Sequence, residues 1–146
     1  MKPFFKIFLL LSFFLQNRIA EAGNCIPYGT TVTLTRQSEV DSFPTNYPGC
    51  DVIQGELIIT GNDIINLDSL IGLMRINNSL RIQNNPVLVN LTGLDSLEFV
   101  ADFDIVNNPS LINLTGLNKL DTVYDFDISA NISVVNLVGL NNLKHV

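Results

Sequence analysis

One pattern of apolar and polar positions recurs along most of the chain. Segments that begin at Ser79, Asp102 and Asp125 each open with alternating polar and apolar residues, and each continues into a Leu-x-Gly-Leu motif. The step from one segment to the next is 23 residues. Alternation over a few residues is typical of a half-buried β-strand, and a fixed step of this size is typical of repeat architectures. The pattern therefore predicts one strand and one tight coil in each copy.

An earlier, irregular copy begins at Glu56. It is one residue short between Asn62 and Leu67 and one residue long between Ile76 and Leu80. A single copy of this length cannot bury its own apolar side, whereas stacked copies bury a shared core. We therefore expect a mainly β protein, a parallel β-solenoid. Its four copies are 56–78, 79–101, 102–124 and 125–146.

Equivalent positions of successive copies form columns of apolar residues that we expect to face inward. Each such side chain, once buried, contributes about 1.5–3 kcal/mol before the entropy of the chain is subtracted. The strand columns are Leu57, Leu80, Phe103, Phe126 and Ile59, Ile82, Ile105, Ile128. The coil columns are Leu67, Leu91, Leu114, Leu137, then Leu70, Leu94, Leu117, Leu140, and Ile76, Val100, Val123, Val146.

An asparagine follows each predicted strand. Its side chain can mimic the backbone of a turn, so we expect this column to hydrogen-bond main-chain groups where the strand ends. Contact with a ligand is the alternative role. The column, which we call the Asn ladder, is Asn62, Asn85, Asn108 and Asn131.

The first 22 residues have the pattern of a secretory signal peptide. Two lysines precede the apolar run 7–15, and Ala20 and Ala22 are the small residues of a cleavage site before Gly23. Nine apolar residues are too few for a membrane span, which needs about 20. A short membrane anchor and a lipid anchor on Cys25 are the alternatives. We expect a secreted or cell-surface protein whose mature chain, 23–146, has no membrane span.

Residues 23–55 do not fit the repeat and are predicted to form an N-terminal cap. Thr31–Leu34 alternates like a strand. Ser38 and Asp41 have the spacing of a capping box, which predicts a short α-helix through Phe43. Pro44 is expected to break the chain after that helix.

The two cysteines of the chain, Cys25 and Cys50, bracket this cap. In an exported domain with two cysteines, a disulfide is the expected state. Closing a loop of this length contributes about 3–4 kcal/mol in the chain-entropy description. A free or catalytic cysteine is the alternative.

The segment from Cys50 to Thr60, CDVIQGELIIT, resembles the start of the receptor L domain family. In that family a cysteine precedes a V-x-x-G-x-L-x-I strand and pairs with an upstream cysteine, which Cys50 and Cys25 match. The Asn-Asn-Pro and Asn-Leu-Thr-Gly-Leu motifs are most similar to bacterial exported members. The resemblance implies a right-handed, leucine-rich-repeat-like β-helix that binds partners through its sheet faces and edge loops. It assigns no binding residue in this chain.

Composition and charge exclude several function classes. Without residues 1–22 the chain has five basic and thirteen acidic residues, a net charge of −8, which argues against nucleic acid as a partner. One His and a single pair of Cys leave little material for a zinc site or a Cys–His pair. The absence of Trp, which stacks on sugars, argues against a carbohydrate-active protein. We expect no enzyme activity, no catalytic residue and no cofactor.

The outward-facing side of the predicted strands, which we call the outer face, is the expected place for function. Like charges opposite each other destabilise a sheet, and stacked copies place strands about 4.8 Å apart. The rows contain four aspartates that would face one another, Asp102, Asp104, Asp125 and Asp127. Their repulsion could be offset by a cation such as Ca²⁺ or by a basic partner. The alternative is a solvated acidic surface that Arg81 partly neutralises. The two rows are Glu56, Ser79, Asp102, Asp125 and Ile58, Arg81, Asp104, Asp127.

The last copy, 125–146, has the same apolar pattern as the inner copies and no polar cap after it. We therefore expect either a truncated reading frame or end-to-end self-association through this copy. The function indicated by the sequence is a non-enzymatic binding or adhesion module with an unknown protein or surface ligand. A structural spacer in a larger surface protein and a carbohydrate-active β-helix are the alternatives.

Overall fold

The computed structural model describes residues 23–146, so the predicted signal peptide lies outside the described residues. Within that range, seven strands form one sheet in which every strand pairing is parallel. The strands are β1 Asn24–Ile26, β2 Thr31–Leu34, β3 Val52–Ile53, β4 Glu56–Ile59, β5 Arg75–Gln83, β6 Phe99–Val106 and β7 Thr122–Ser129. Short helices, α1 Gln37–Asp41 and α2 Phe43–Asn46, and a 3₁₀ turn, Asp68–Leu70, complete the elements. The predicted mainly β class is confirmed.

The pairing register follows the repeat. Leu80 of β5 lies opposite Phe103 of β6, which lies opposite Phe126 of β7. The start of β5 also pairs with β3, and its end pairs with β4. Because the same position of each copy meets its equivalent in the next, the outer and inner faces of the sheet keep their identity from strand to strand.

Strands β5 to β7 begin earlier than the predicted alternation. Ile76, Val100 and Val123 were assigned to the coil, but they lie in the first part of these strands and pair in register. The register shifts between Ile76 and Ser79, where β5 is one residue longer than β6. The extra residue seen in the sequence is therefore absorbed by a β-bulge in β5. In β6 the buried residues Val100 and Phe103 are three positions apart, so a strict alternation does not extend to the start of that strand.

The cap contributes three strands, β1, β2 and β3, to the sheet. Thr31–Leu34 forms β2 as predicted and pairs in register with β4 along its whole length. The predicted capping box is wrong. Helix α1 begins at Gln37 with no side-chain cap hydrogen bond, and Ser38 lies inside it. The Glu39 carboxylate instead accepts a hydrogen bond of 2.6 Å from the Thr35 N–H.

Pro44 does not end the helical segment of the cap. It lies in the first turn of α2, directly after α1. A proline is tolerated there because the N–H groups of the first turn have no partner within the helix. The cap thus has two short helices where the sequence predicted one.

The disulfide between Cys25 and Cys50 is confirmed, with a Cα–Cα distance of 5.2 Å. It joins β1 to Cys50, two residues before β3 begins, and β1 and β3 are themselves paired. The covalent bond and the strand pairing therefore close the same loop, which fastens the cap against the first copy.

The core is a single apolar cluster between the sheet and the coils. The predicted inward columns are buried in the first three copies, for example Leu57, Leu80 and Phe103 at 0% exposure. In the last copy Leu137 is 59% exposed, and the prediction of an inward side chain is wrong for Val146, which is 77% exposed. Among the described residues no later copy covers these two side chains, whereas Leu114, the equivalent of Leu137, lies under the last copy.

No helix within residues 23–146 is both long enough and apolar enough to span a membrane.

Candidate functional site: the outer face of the sheet

The outer face is built by strand alternation. Leu57, Leu80 and Phe103 point into the core, so their neighbours along each strand point outward. Glu56, Arg81, Asp102 and Asp104 are half-buried there, and Asp125 and Asp127 are exposed on β7. The expected pairs of carboxylates are present in the register, with Asp102 opposite Asp125 and Asp104 opposite Asp127.

Arg81 lies between two carboxylates of neighbouring strands. One guanidinium nitrogen is 3.3 Å from Glu56 Oε1, and Nε is 3.2 Å from Asp104 Oδ2. The Nε contact lacks the alignment of a hydrogen bond, so the attraction to Asp104 is mainly one of charge. The Arg81 side chain is 41% exposed, and ion pairs at such sites stabilise a protein by about 0–1 kcal/mol. Arg81 therefore neutralises one end of the outer face and leaves the aspartates of the other end without a cation.

The pKa of the Asp104 carboxyl group is raised by burial and, to a smaller extent, by neighbouring carboxylates. Burial raises the pKa of this carboxyl group above its usual value, and the charge of Asp102 raises it further. Arg81 acts in the opposite direction, and Asp127 and Asp125 add smaller increases. The neighbouring aspartates thus add to a shift whose main cause is burial.

The cation alternative gains no support from the geometry. Among residues 23–146, no three His, Cys, Asp or Glu side chains are grouped so that they could hold a metal ion. Asp102, Asp104, Asp125 and Asp127 lie along a flat parallel pair of strands, and Ca²⁺ requires six to eight converging oxygens.

Ser79 is the residue of the outer face that the sequence misjudged. The sequence places it in an outward-facing row, but it is only 5% exposed. Its Oγ makes no hydrogen bond within the described part of the chain. Ser79 lies opposite Asp102 in the register, just after the bulge of β5. Only the extra residue between Ile76 and Leu80 signalled an unusual environment there.

The Asn ladder makes main-chain hydrogen bonds at the ends of the strands. Asn85 Nδ2 donates to the Ile59 carbonyl at 3.1 Å, and Asn108 Nδ2 donates to the Ile82 carbonyl at 2.9 Å. Asn131 Nδ2 makes the equivalent bond to Ile105 O at 2.7 Å. Asn85 and Asn108 are fully buried. This arrangement assigns the ladder to structure, because its amides face the strand ends and not the solvent.

Asn62 does not belong to the ladder. Asn62 is exposed. The main-chain N–H that donates to Asn85 Oδ1, at 2.9 Å, belongs to Gly61 and not to Asn62. The later copies have a residue with positive φ at this turn, such as Asn84 with φ 57°, and the first copy lacks that residue. The shorter turn brings Gly61 to the ladder one position early. A side chain at Gly61 would collide with the Thr35 carbonyl of the cap.

One cavity of the described chain lies away from the outer face. It has a volume of about 260 Å³ and lies between α2 and the 3₁₀ turn. Phe43, Tyr47, Leu70, Ile71 and Leu73 provide its apolar walls. No carboxylate pair, histidine or free thiol lines it, so the outer face remains the better candidate for a site with chemistry.

No protein-family model matches the chain, and neither a curated protein nor a solved structure matches it. The case for function therefore depends on the geometry described above.

Proposed function

We propose that the protein is an exported, non-enzymatic binding module of receptor L domain type that recognises a protein partner through its outer face. The observation that carries this proposal is the excess of carboxylates on that face. Five carboxylates, from Glu56 to Asp127, have the single guanidinium of Arg81 between them. Like charges in register destabilise a sheet, so their retention is best explained by a complementary surface that offsets them.

The finer architecture that we propose is a right-handed parallel β-helix, similar to leucine-rich repeats. Parallel pairing between equivalent residues of successive copies, such as Ile82 with Ile105 and Ile105 with Ile128, supports it. The right hand follows from the strong preference of parallel crossover connections. The Cys25–Cys50 disulfide supports export, since disulfides persist in oxidising compartments.

Site-directed photo-crosslinking tests the proposal in cells that produce the protein. A photoreactive amino acid is placed at Asp127 on the outer face, and in a second variant at Ile112, which is 45% exposed on a coil. We expect a discrete crosslinked adduct from Asp127 and none from Ile112. Equal adducts from both positions, or none from either, would contradict recognition by the outer face.

The same experiment separates the two main candidates. A structural spacer has no ligand of its own, so it gives no discrete adduct from Asp127. The spacer gains some support from the position of the 260 Å³ cavity, which lies away from the outer face. The carbohydrate-active alternative requires paired acids in a cleft, and the acids here lie on the sheet.

A further inference from the structure

The first described residue, Gly23, lies against a carboxylate that the fold leaves without a partner. Asp51 Oδ1 is buried and makes no hydrogen bond within residues 23–146. A Cβ atom at Gly23 would collide with this oxygen, so Oδ1 packs directly against the Gly23 α-carbon. Buried polar atoms in native proteins are nearly always paired, so this oxygen requires an explanation.

The backbone holds Gly23 beside Asp51. The Gly23 carbonyl accepts the main-chain N–H groups of Asp51 at 3.2 Å and of Val52 at 2.9 Å. The disulfide between Cys25 and Cys50 joins the same two segments of the cap. The Gly23 nitrogen is one bond away from the α-carbon that Oδ1 contacts, so the fold keeps this nitrogen close to the carboxylate.

No cation of the described chain pairs with Asp51. The ion pairs within residues 23–146 belong to Arg81. Arg75, which lies opposite Val52 in the register, has its guanidinium group over the Phe99 ring, 4.4 Å from the ring centre. A half-buried carboxylate without an opposite charge lowers stability, so the position beside Asp51 suits a positively charged N–H donor.

We propose that the α-ammonium group of Gly23, released when the Ala22–Gly23 bond is cleaved, forms an ion pair with the Asp51 carboxylate. Hydrolysis of that bond by a signal peptidase consumes one water and leaves a carboxylate on Ala22 and an ammonium group on Gly23. An α-amino group is mostly protonated at neutral pH. Cleavage thereby supplies both the donor and the charge that Asp51 lacks, and it stabilises the cap.

This inference depends on the export that we propose above and not on binding by the outer face. It makes Asp51 a positioning residue for the new N-terminus. The folded cap therefore stabilises the product of cleavage and not the uncleaved chain, in which the Gly23 nitrogen is an uncharged amide.

Asp121 provides a matched control because it has the equivalent position in a later copy. The main-chain carbonyls of Asp51 and Asp121 each accept two consecutive N–H groups from the segment one copy further along the chain. Both aspartates are half-buried. The variants Asp51→Asn and Asp121→Asn therefore remove the same charge from equivalent sites, of which only the first lies against Gly23.

The test uses the full chain produced in a host that exports it, and N-terminal sequencing of the purified protein is expected to begin at Gly23. The processed protein should melt about 3–5 °C above Asp51→Asn at pH 6, where the α-amino group is charged. That difference should be largely lost at pH 10, because an ion pair that holds a proton on the amino group stabilises only below the pKa of that group. The difference between the processed protein and Asp121→Asn should not change between the two pH values.

A labelling measurement keeps the proposal testable if Asp51→Asn does not fold. At pH 7 an amine-specific succinimidyl ester should modify the Gly23 amino group of the processed protein about tenfold more slowly in the folded state than in urea, since the ion pair keeps the group protonated. Equal labelling rates, a first residue other than Gly23, or a melting difference that is the same at both pH values would overturn the ion pair. If adducts still form from Asp127 in that case, the binding function stands.

Discussion

Asn108→Ala removes the central residue of the Asn ladder. Asn108 is fully buried, and its Nδ2 donates to the Ile82 carbonyl at 2.9 Å and to Asn131 Oδ1 at 3.1 Å. Its Oδ1 accepts the main-chain N–H of Asn85 at 3.2 Å and the Asn85 side-chain amide at 2.9 Å. Alanine therefore takes a partner away from two main-chain groups, the Ile82 carbonyl and the Asn85 N–H.

The expected loss of stability follows from these two groups. A buried polar group that loses its partner costs about 1–3 kcal/mol, so the variant should lose about 4 kcal/mol of unfolding free energy. Domains have total stabilities of about 5–15 kcal/mol, so this loss is a large fraction. Urea unfolding followed by circular dichroism measures it through linear extrapolation.

Asn62→Ala is the matched control. Asn62 was placed in the same column by the sequence but is exposed, so its replacement should change stability by less than about 0.5 kcal/mol. Asn131→Ala should give an intermediate loss, because Asn131 is only half-buried. That variant keeps the test informative if Asn108→Ala does not fold. A loss below about 1 kcal/mol for Asn108→Ala, or one equal to that of Asn62→Ala, would refute the structural role of the ladder.

Three further predictions concern backbone, packing and charge. Gly116→Ala should destabilise the protein far more than Gly29→Ala. Both glycines have positive φ, which costs an L-residue about 1–2 kcal/mol, but a Cβ at Gly116 would also collide with the Leu91 carbonyl. Equal midpoints of thermal unfolding for the two variants would contradict this prediction. Leu114→Ala should lower the free energy of unfolding in urea by about 2–5 kcal/mol, because Leu114 is buried. Leu137→Ala should lower it by less than about 1 kcal/mol, because Leu137 is exposed. The reverse order would contradict the described packing. The folded state raises the pKa of Asp104, so its contribution to stability is present at low pH and is lost as pH rises through that pKa. The stability of Asp104→Asn relative to the unmodified protein should therefore increase as the pH is raised from about 3 to about 7. A stability difference that does not change with pH would contradict the raised pKa of Asp104.

The repetitive part of the fold could be read from the sequence because it depends on periodicity. An apolar residue that recurs every 23 positions, such as Leu80 and Phe103, has the same environment in each copy, so one pattern specifies all the inner columns. The carboxylate pairs of the outer face followed from the same reasoning. These inferences needed only the period of a strand and the spacing of the copies.

The irregular features could not be read because each depends on a local contact. Asn62 is not part of the ladder because the first copy lacks one turn residue, which places Gly61 at the ladder position. The Thr35 carbonyl leaves no room for a side chain at Gly61. Ser79 is buried although the sequence places it in an outward-facing row; it lies beside a bulge that the sequence marks only as one extra residue. Pro44 looked like the end of a helix, and only its position in the first turn of α2 makes it acceptable.

The bulge in β5 has a consequence for how the sequence can change in length. A one-residue insertion within a strand normally turns every following side chain to the opposite face. Here the register is offset before the bulge and restored after it, so Leu80 and Ile82 still meet Phe103 and Ile105. Single insertions should therefore be tolerated at the bulge between Ile76 and Ser79 and rejected a few residues later, while whole copies of 23 residues can be added or lost without changing any contact within the remaining ones.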